Sequence, residues 1–129
     1  MPGSLFDYPV HLGKGGTAVP QPEFTGIQWY AAYAERTAAD GADGRLVSIY
    51  RFDANWHSWE MHPAGDELVV CVAGKITLHQ DDHGTMTSVT LEPGDYAINP
   101  PGVWHTADVA GEATALFITA GQGTENRPR

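Results

Sequence analysis

The sequence predicts an all-β domain in which short strands form a β-sandwich or a jelly-roll barrel. Two observations lead to this fold class. Fifteen glycines and nine prolines interrupt the 129 residues at short intervals. The segments between them have the length of strands and are rich in β-branched and aromatic residues. Many short strands joined by turns are typical of sandwiches and barrels, and the length fits one compact domain over residues 1–129.

The N-terminal third is predicted to be less regular than the rest. Residues 1–25 are rich in glycine and proline without sustained periodicity, which predicts an irregular N-terminal arm. Arms of this kind often pack on a partner subunit. Residues 26–40 permit either a short helix or an edge strand, and we favour the helix. Residues 40–44, Asp-Gly-Ala-Asp-Gly, predict a turn.

From residue 45 onward the strand signals are regular. Segments of β-branched and aromatic residues alternate with turns that contain Gly, Pro, Asp or Asn. Together they predict a barrel core over residues 45–120, followed by an irregular end at 121–129. The predicted strands are 46–52, 56–62, 67–73, 75–80, 85–91, 96–99, 103–109 and 113–119.

Charge and cysteine content exclude several classes of protein. Asp and Glu total 16 against 7 Lys and Arg, a formal charge of −9, which repels a phosphate backbone, so we expect no nucleic-acid partner. The single cysteine, Cys71, cannot form an internal disulfide. No apolar stretch reaches the roughly 20 residues that span a bilayer, and the N-terminus does not resemble a signal peptide. We therefore expect no membrane partner and a cytoplasmic location.

Four side chains form the strongest candidate for a functional site. Glu60 and His62 are two residues apart in a predicted strand, so both side chains point to the same face. Glu67 begins the next strand after a short turn, which places its carboxylate beside His62 if the two strands form a hairpin. His105 lies on a later strand that a closed barrel brings to the same interior point. Two imidazoles with one or two carboxylates suit Fe(II), Mn(II), Zn(II) or Ni(II).

The spacing of these residues resembles the two signature motifs of the cupin superfamily. The match covers residues 54–109, and the surrounding strand pattern is similar to that of small single-domain bacterial cupins. The two motifs are present, 19 residues apart, as His62-x4-Glu67-x6-Gly74 and Gly94-x5-Pro100-x-Gly102-x2-His105.

The resemblance implies a fold, a cofactor and a partner. Cupins are double-stranded β-helix barrels of the jelly-roll type, commonly homodimeric, that hold a divalent metal ion with His, His, Glu and His. On this basis His62, Glu67 and His105 are metal ligands, and Glu60 occupies the place of the first histidine. Ala54 and Val109 also depart from the motif pattern. Glu60 is either a fourth ligand, a general base beside a three-ligand metal, or a sign that metal binding has been lost.

Four further residues are predicted to bind substrate. Trp56, Tyr96, Asn99 and Trp104 lie close to the motif residues in sequence, and apolar walls with a few polar anchors are typical of small-molecule sites. The alternative for each is packing in the barrel or at a dimer contact.

These features lead to three hypotheses for function. The leading one is a small-molecule enzyme with dioxygenase- or isomerase-type chemistry at the metal, in which Glu60 is the candidate catalytic base. The second is a non-catalytic cupin that binds or senses a small ligand. The third is a metal-free enzyme similar to sugar epimerases, with His62 or His105 as base, which the scarcity of Lys and Arg near the motifs disfavours.

Overall fold

The computed structural model describes residues 2–129 and contains two antiparallel sheets and one α-helix. The helix, α1, spans Gln28–Arg36, and short 3₁₀ segments lie at Lys14–Gly16 and Ala38–Asp43. The eleven strands of this part of the chain are β1 (Val10–Gly13), β2 (Thr17–Pro20), β3 (Arg45–Phe52), β4 (Ser58–Met61), β5 (Glu67–Ala73), β6 (Ile76–Asp82), β7 (Thr85–Leu91), β8 (Tyr96–Asn99), β9 (Trp104–Val109), β10 (Ala113–Thr119) and β11 (Glu125–Pro128).

The strands pack as a two-sheet β-barrel of the double-stranded β-helix type, which confirms the predicted fold class. One sheet has the order β2-β1-β3-β10-β5-β8, and the other has the order β11-β4-β9-β6-β7. Non-consecutive strands such as β3 and β10 are neighbours, because the chain crosses from one sheet to the other after most strands. None of the helices in residues 2–129 is long and apolar enough to cross a membrane.

The core lies between the inner faces of the two sheets. Residues that alternate along a strand share one face, so the inward positions of β5 and β10 contribute every second residue to it. Cys71 is fully buried there and free, as expected. The core residues are Val69, Cys71, Ile76, Leu78, Leu91, Ala107, Val109, Ala113, Ala115 and Phe117.

Gly74 of the first motif has a steric role. Its φ angle is +72°, in the left-handed region that favours glycine, and a Cβ atom at this position would overlap the carbonyl oxygen of Glu112. The turn between β5 and β6 therefore depends on this glycine.

The predicted helix is confirmed, whereas the N-terminal arm is more regular than expected. β1 and β2 form a hairpin that extends the first sheet beside β3. In α1, Trp29 and Tyr33 are one turn apart and their rings stack with centroids 5.3 Å apart. His11 on β1 fastens this region, because its two ring nitrogens lie 2.6 Å from the Tyr33 hydroxyl and 2.6 Å from an Asp40 carboxylate oxygen. The prediction of an irregular arm is wrong for β1 and β2, because the glycines and prolines of residues 1–25 interrupt the alternating pattern by which strands are predicted.

The C-terminal end is also a strand, contrary to the prediction that it is irregular. β11 pairs with β4 from Glu125↔Met61 to Pro128↔Ser58. Arg127 holds it in place, since its guanidinium lies 2.7 Å from Asp81 and over the rings of Trp59 and Trp104. These contacts are on the outer face of the second sheet, and they fix the loop that precedes β11 above the barrel mouth.

Candidate metal centre

A cavity of about 980 Å³ opens at the barrel mouth, between α1 and the inner face of the first sheet. Its volume is at the upper end of the range of small-molecule sites. The side chains of Glu60, His62 and Glu67 line one end of it, and aromatic rings line much of the rest. The cavity therefore gives a small molecule access to the charged residues of the first motif.

The strand registers bring the motif residues together from both sheets. In the first sheet, neighbouring strands place Thr119 opposite Glu67, and Glu67 opposite Asn99. In the second sheet, His105 lies opposite Glu60 on one side and opposite Gln80 on the other. The side chains of both sets of residues point into the barrel. The predicted convergence of a first-motif carboxylate with the second-motif histidine therefore follows from barrel closure.

Four potential ligands lie close to one another. The Nε2 atom of His62 is 3.1 Å from Glu67 Oε2, and the Nε2 atom of His105 is 3.2 Å from Glu67 Oε1. Glu60 Oε2 is 3.9 Å from His62 Nε2 and 3.8 Å from His105 Nε2. Glu60, His62 and His105 each place a ligand atom within 4.8 Å of the other two. The two histidines lie between the two carboxylates.

The Nε2 atoms of both histidines lack hydrogen-bond partners in residues 2–129. Their contacts with Glu67 are short but do not have hydrogen-bond geometry, and both atoms are shielded from solvent. Buried polar atoms without a partner are costly. Two converging imidazole nitrogens beside two carboxylates fit a divalent cation of the borderline type, such as Fe(II), Mn(II), Zn(II) or Ni(II). The residues present therefore fit the implied metal.

The protonation of the two carboxyl groups differs. Burial raises the pKa of the Glu60 carboxyl, and the nearby charge of Glu67 raises it further. Burial also acts to raise the pKa of Glu67, but the contacts with His105 and His62 outweigh it and hold that pKa well below its usual range. Glu67 is thus ionised at all physiological pH values, while Glu60 is the group better able to exchange a proton.

Hydrogen bonds from outside the cluster orient Glu67. Asn99 Nδ2 donates to Glu67 Oε1 at 3.0 Å, and Thr119 Oγ1 donates to Glu67 Oε2 at 2.6 Å. Gln80 in turn donates to the Asn99 side-chain oxygen at 2.8 Å. Because Glu67 is buried, these bonds leave its carboxylate with a single orientation, toward the two imidazoles.

A residue of the C-terminal loop orients His62. Thr124 Oγ1 donates to the carbonyl oxygen of Gly121 at 2.8 Å, so it accepts a hydrogen bond from His62 Nδ1, also at 2.8 Å. The proton on a neutral His62 is then on Nδ1, and the lone pair is on Nε2, which faces the cluster. This is the tautomer that a metal ligand needs.

The predicted substrate-binding residues occupy three different environments. Trp56 lines the cavity, and its ring centroid is 6.3 Å from that of His105. Asn99 is fully buried behind Glu67 and serves it as a hydrogen-bond donor. Tyr96 and Trp104 do not reach the cavity. Tyr96 is 63% exposed on the outer face of the first sheet, and Trp104 lies on the outer face of the second sheet under the Arg127 guanidinium.

The misplacement of Tyr96 and Trp104 has a common cause. Successive side chains of a strand point to opposite faces, so the inward position of His105 sends Trp104 outward, and the inward position of Asn99 sends Tyr96 outward. The sequence analysis missed many residues that line the cavity, among them Tyr30, Tyr50, Thr119 and Thr124. The inward parity of β10 indicates Thr119, and that of β3 indicates Tyr50, since every second residue from Leu46 to Phe52 lines the cavity. For Tyr30 and Thr124, no local pattern marks the function.

The fold and the site together define the class of protein. It is a small double-stranded β-helix barrel with a candidate metal centre, formed by histidine and carboxylate side chains, at its mouth. The cupin-domain family model matches residues 49–121, more than half of the chain. This chain therefore belongs to the cupin family. No curated protein matches the sequence.

Solved structures share the fold. A conserved protein with a double-stranded β-helix domain from Klebsiella pneumoniae is 20% identical, with a TM-score of 0.54 over 66% of this chain and 76% of that chain. A cupin-2 domain protein from Shewanella frigidimarina is 20% identical, with a TM-score of 0.50 over 66% and 71%. An oxalate oxidase is 16% identical, with a TM-score of 0.55 over 62% of this chain and 44% of that chain. At these identities the likeness concerns the fold alone.

Proposed function

We propose that this cupin is an enzyme that acts on a small molecule at a divalent metal ion held by Glu60, His62, Glu67 and His105. The observation that carries the proposal is the convergence of two unpartnered, buried imidazole nitrogens with two carboxylates at the end of a large cavity. Oxygenase and isomerase chemistry both fit this arrangement. When bound, a redox-active metal supports reactions with oxygen, and Zn(II) polarises a substrate carbonyl.

The residues of the chain have distinct roles in this proposal. Glu67 and the two histidines are rigidly held, which suits them to ligate. Glu60 is 36% exposed toward the cavity and has a raised pKa. It is therefore placed to accept a proton from a bound substrate, as well as to ligate. Trp56 lines this end of the cavity, with its ring centroid 6.3 Å from that of His105.

Metal analysis of untagged protein tests the proposal. We expect stoichiometric Fe, Mn, Zn or Ni in the purified protein, and uptake of the same metal after removal by a chelator. The double variant His62→Ala, His105→Ala should lose this uptake, whereas His83→Ala, at an exposed hairpin tip, should retain it. Uptake that survives the double variant would refute the site. Stoichiometric metal and saturable ligand binding without turnover would favour the non-catalytic cupin.

We also infer that the protein is a homodimer that uses the outer face of the first sheet, and we keep the expectation of a cytoplasmic location. Two outward rows of that sheet contain only uncharged residues. The register places Val10, Val47, Ile118, Leu68 and Ile98 in one row and Ile49, Leu116, Val70 and Tyr96 in the other.

This face suits a second copy of the chain. Two molecules that each carry a charge of −9 repel one another over most of their surface. A surface without carboxylates lets them approach, and depletion of charge is characteristic of interface cores. Ile98→Asp should convert the dimer to a monomer in light scattering, while Val89→Asp, on the equally exposed β7, should not. A monomeric wild-type protein would refute this interface.

A further inference from the structure

The charges around the cavity limit which molecules can bind in it. Among residues 2–129, no lysine lines the cavity, and the one arginine that does, Arg51, has its guanidinium 3.9 Å from the centroid of the Phe6 ring. The acidic residues include Glu60 and Glu67 at the inner end. An anionic ligand therefore meets two carboxylates without a free cationic partner, which disfavours carboxylates and phosphates.

A bound metal does not reverse this preference. The formal charges of a divalent cation and the two carboxylates of Glu60 and Glu67 sum to zero, and neutral imidazoles add nothing. The centre then offers no excess positive charge to an anion. The loaded centre also has no net negative charge that would attract an amine. The loaded cavity is consequently suited to an uncharged molecule.

Two tyrosine hydroxyls supply a further polar anchor in the cavity. Tyr30 of α1 and Tyr50 of β3 are hydrogen-bonded to each other through their hydroxyl groups, and both line the cavity. Burial raises the pKa of both phenols, so they remain protonated. Two hydroxyls carry two protons, and their mutual bond uses only one. One O–H therefore remains to donate to a ligand oxygen.

Aromatic rings form much of the remaining wall. The ring of Tyr50 lies 5.9–6.1 Å from those of Phe117 and Phe52, and the Trp56 ring lies 5.6 Å from Phe52 and 6.1 Å from Phe117. Such rings pack well against flat apolar groups. The polar anchor and the metal centre thus both face an apolar, flat-walled space.

We propose that the cavity binds an uncharged, flat and largely apolar molecule whose hydroxyl or carbonyl oxygen accepts a hydrogen bond from the Tyr30–Tyr50 pair. An aromatic alcohol or ketone has this chemistry. This inference builds on the proposed function, since it names the substrate class of the same site. It predicts that Tyr30 and Tyr50 determine specificity without contributing to metal binding.

Three probes of matched shape test the inference: benzyl alcohol, benzoate and benzylamine. Binding is followed by NMR chemical shifts of cavity residues, with the metal-free protein and with the protein saturated with Zn²⁺. We expect benzyl alcohol to bind more tightly than benzoate in both forms, and more tightly than benzylamine in the Zn²⁺ form. A preference of the Zn²⁺ form for benzoate, or no saturable binding of benzyl alcohol, would overturn the proposal.

Conservative variants assign the preference to the named residues. The double variant Tyr30→Phe, Tyr50→Phe removes both O–H donors and should weaken benzyl alcohol roughly 2- to 10-fold, the effect of one neutral hydrogen bond, with unchanged Zn²⁺ uptake. Tyr8→Phe, which removes the hydroxyl of an exposed tyrosine outside the cavity, is the control and should have no effect. Glu60→Gln, saturated with Zn²⁺, should gain affinity for benzoate. Equal benzyl alcohol affinity in the double variant and in Tyr8→Phe would refute the anchor.

The two proposals fail in different ways. A protein that takes up no metal but still prefers benzyl alcohol would overturn the metal-dependent enzyme and support the substrate class. A protein that binds Zn²⁺ through the four ligands but prefers benzoate would support the metal site and overturn the proposed substrate class.

Discussion

Replacement of Thr124 by valine tests whether a residue outside the ligand set controls the metal centre. Valine has nearly the same shape and removes only the hydroxyl that accepts from His62 Nδ1 at 2.8 Å. Thr124 itself is exposed, so the variant should fold. The His62 side chain, by contrast, is only 5% exposed, and water has little access to replace the lost partner.

The structure sets the size of the expected effect. A buried donor left without a partner costs about 1–3 kcal/mol, and each 1.4 kcal/mol is about a factor of ten in affinity. When His62 Nδ1 loses its acceptor, the ring also loses its preference for the tautomer with a free Nε2. We therefore expect the metal affinity of Thr124→Val to fall by roughly 10- to 100-fold, the range found for hydrogen-bond partners of metal ligands.

Competition of the protein with a chromophoric chelator for Zn²⁺ or Mn²⁺ measures this affinity. Thr124→Ser retains the hydroxyl and should bind the metal like the wild-type protein. Thermal unfolding of the metal-free variants should be nearly unchanged, which separates an effect on the ligand from an effect on folding. Unchanged affinity in Thr124→Val, or an equal loss in Thr124→Ser, would refute the role assigned to this hydroxyl.

Three further changes have defined outcomes. Gly74→Ala should lower the free energy of unfolding by about 2–5 kcal/mol in urea titrations, because it combines left-handed backbone strain with an overlap against backbone; a loss under about 1 kcal/mol would contradict this. The hydrogen bond from Arg127 lowers the pKa of the Asp81 carboxyl, so this pair stabilises β11 above the unfolded-state pKa of about 3.9 and loses that contribution as the pH falls through the folded value. The protection factors of the β11 amides against hydrogen exchange should therefore fall in acid, and Arg127→Ala should lower them at neutral pH as well. Burial lowers the pKa of His62, but its contacts with Glu67 raise it above the ordinary value; Glu67→Gln should therefore lower the His62 pKa in NMR titrations of the metal-free protein, and an unchanged value would contradict the assigned cause.

The parts of the site that could be predicted depend on local spacing. The alternation of side chains along a strand places Glu60 and His62 on one face. The predicted hairpin to Glu67 does not form, because β4 and β5 lie in different sheets, and barrel closure brings the Glu67 carboxylate beside His62. The same rule, applied to every residue of β8 and β9, would also have excluded Tyr96 and Trp104 from the cavity. Strand parity is thus a stronger guide than closeness to a motif in sequence.

The rest of the site depends on contacts between distant segments. Tyr30 and Tyr50 meet only because the N-terminal hairpin and α1 dock against the first sheet, which no periodicity in residues 1–40 indicates. The strand β11 is polar and contains a proline, so it lacks a strand signal of its own. Its conformation comes from pairing with β4 and from the contacts of Arg127.

The C-terminal contacts connect the two faces of the second sheet. Arg127 binds Asp81 and two indole rings on the outer face, and Arg129 donates to the carbonyl oxygens of Trp56 and Ala107 at 3.1 Å each. Between this anchored strand and β10 the chain has only a short loop, and Thr124 is its last residue before β11. The position of the hydroxyl that orients His62 is therefore determined by interactions on the opposite side of the sheet. The metal centre consequently depends on residues that neither ligate nor line the cavity.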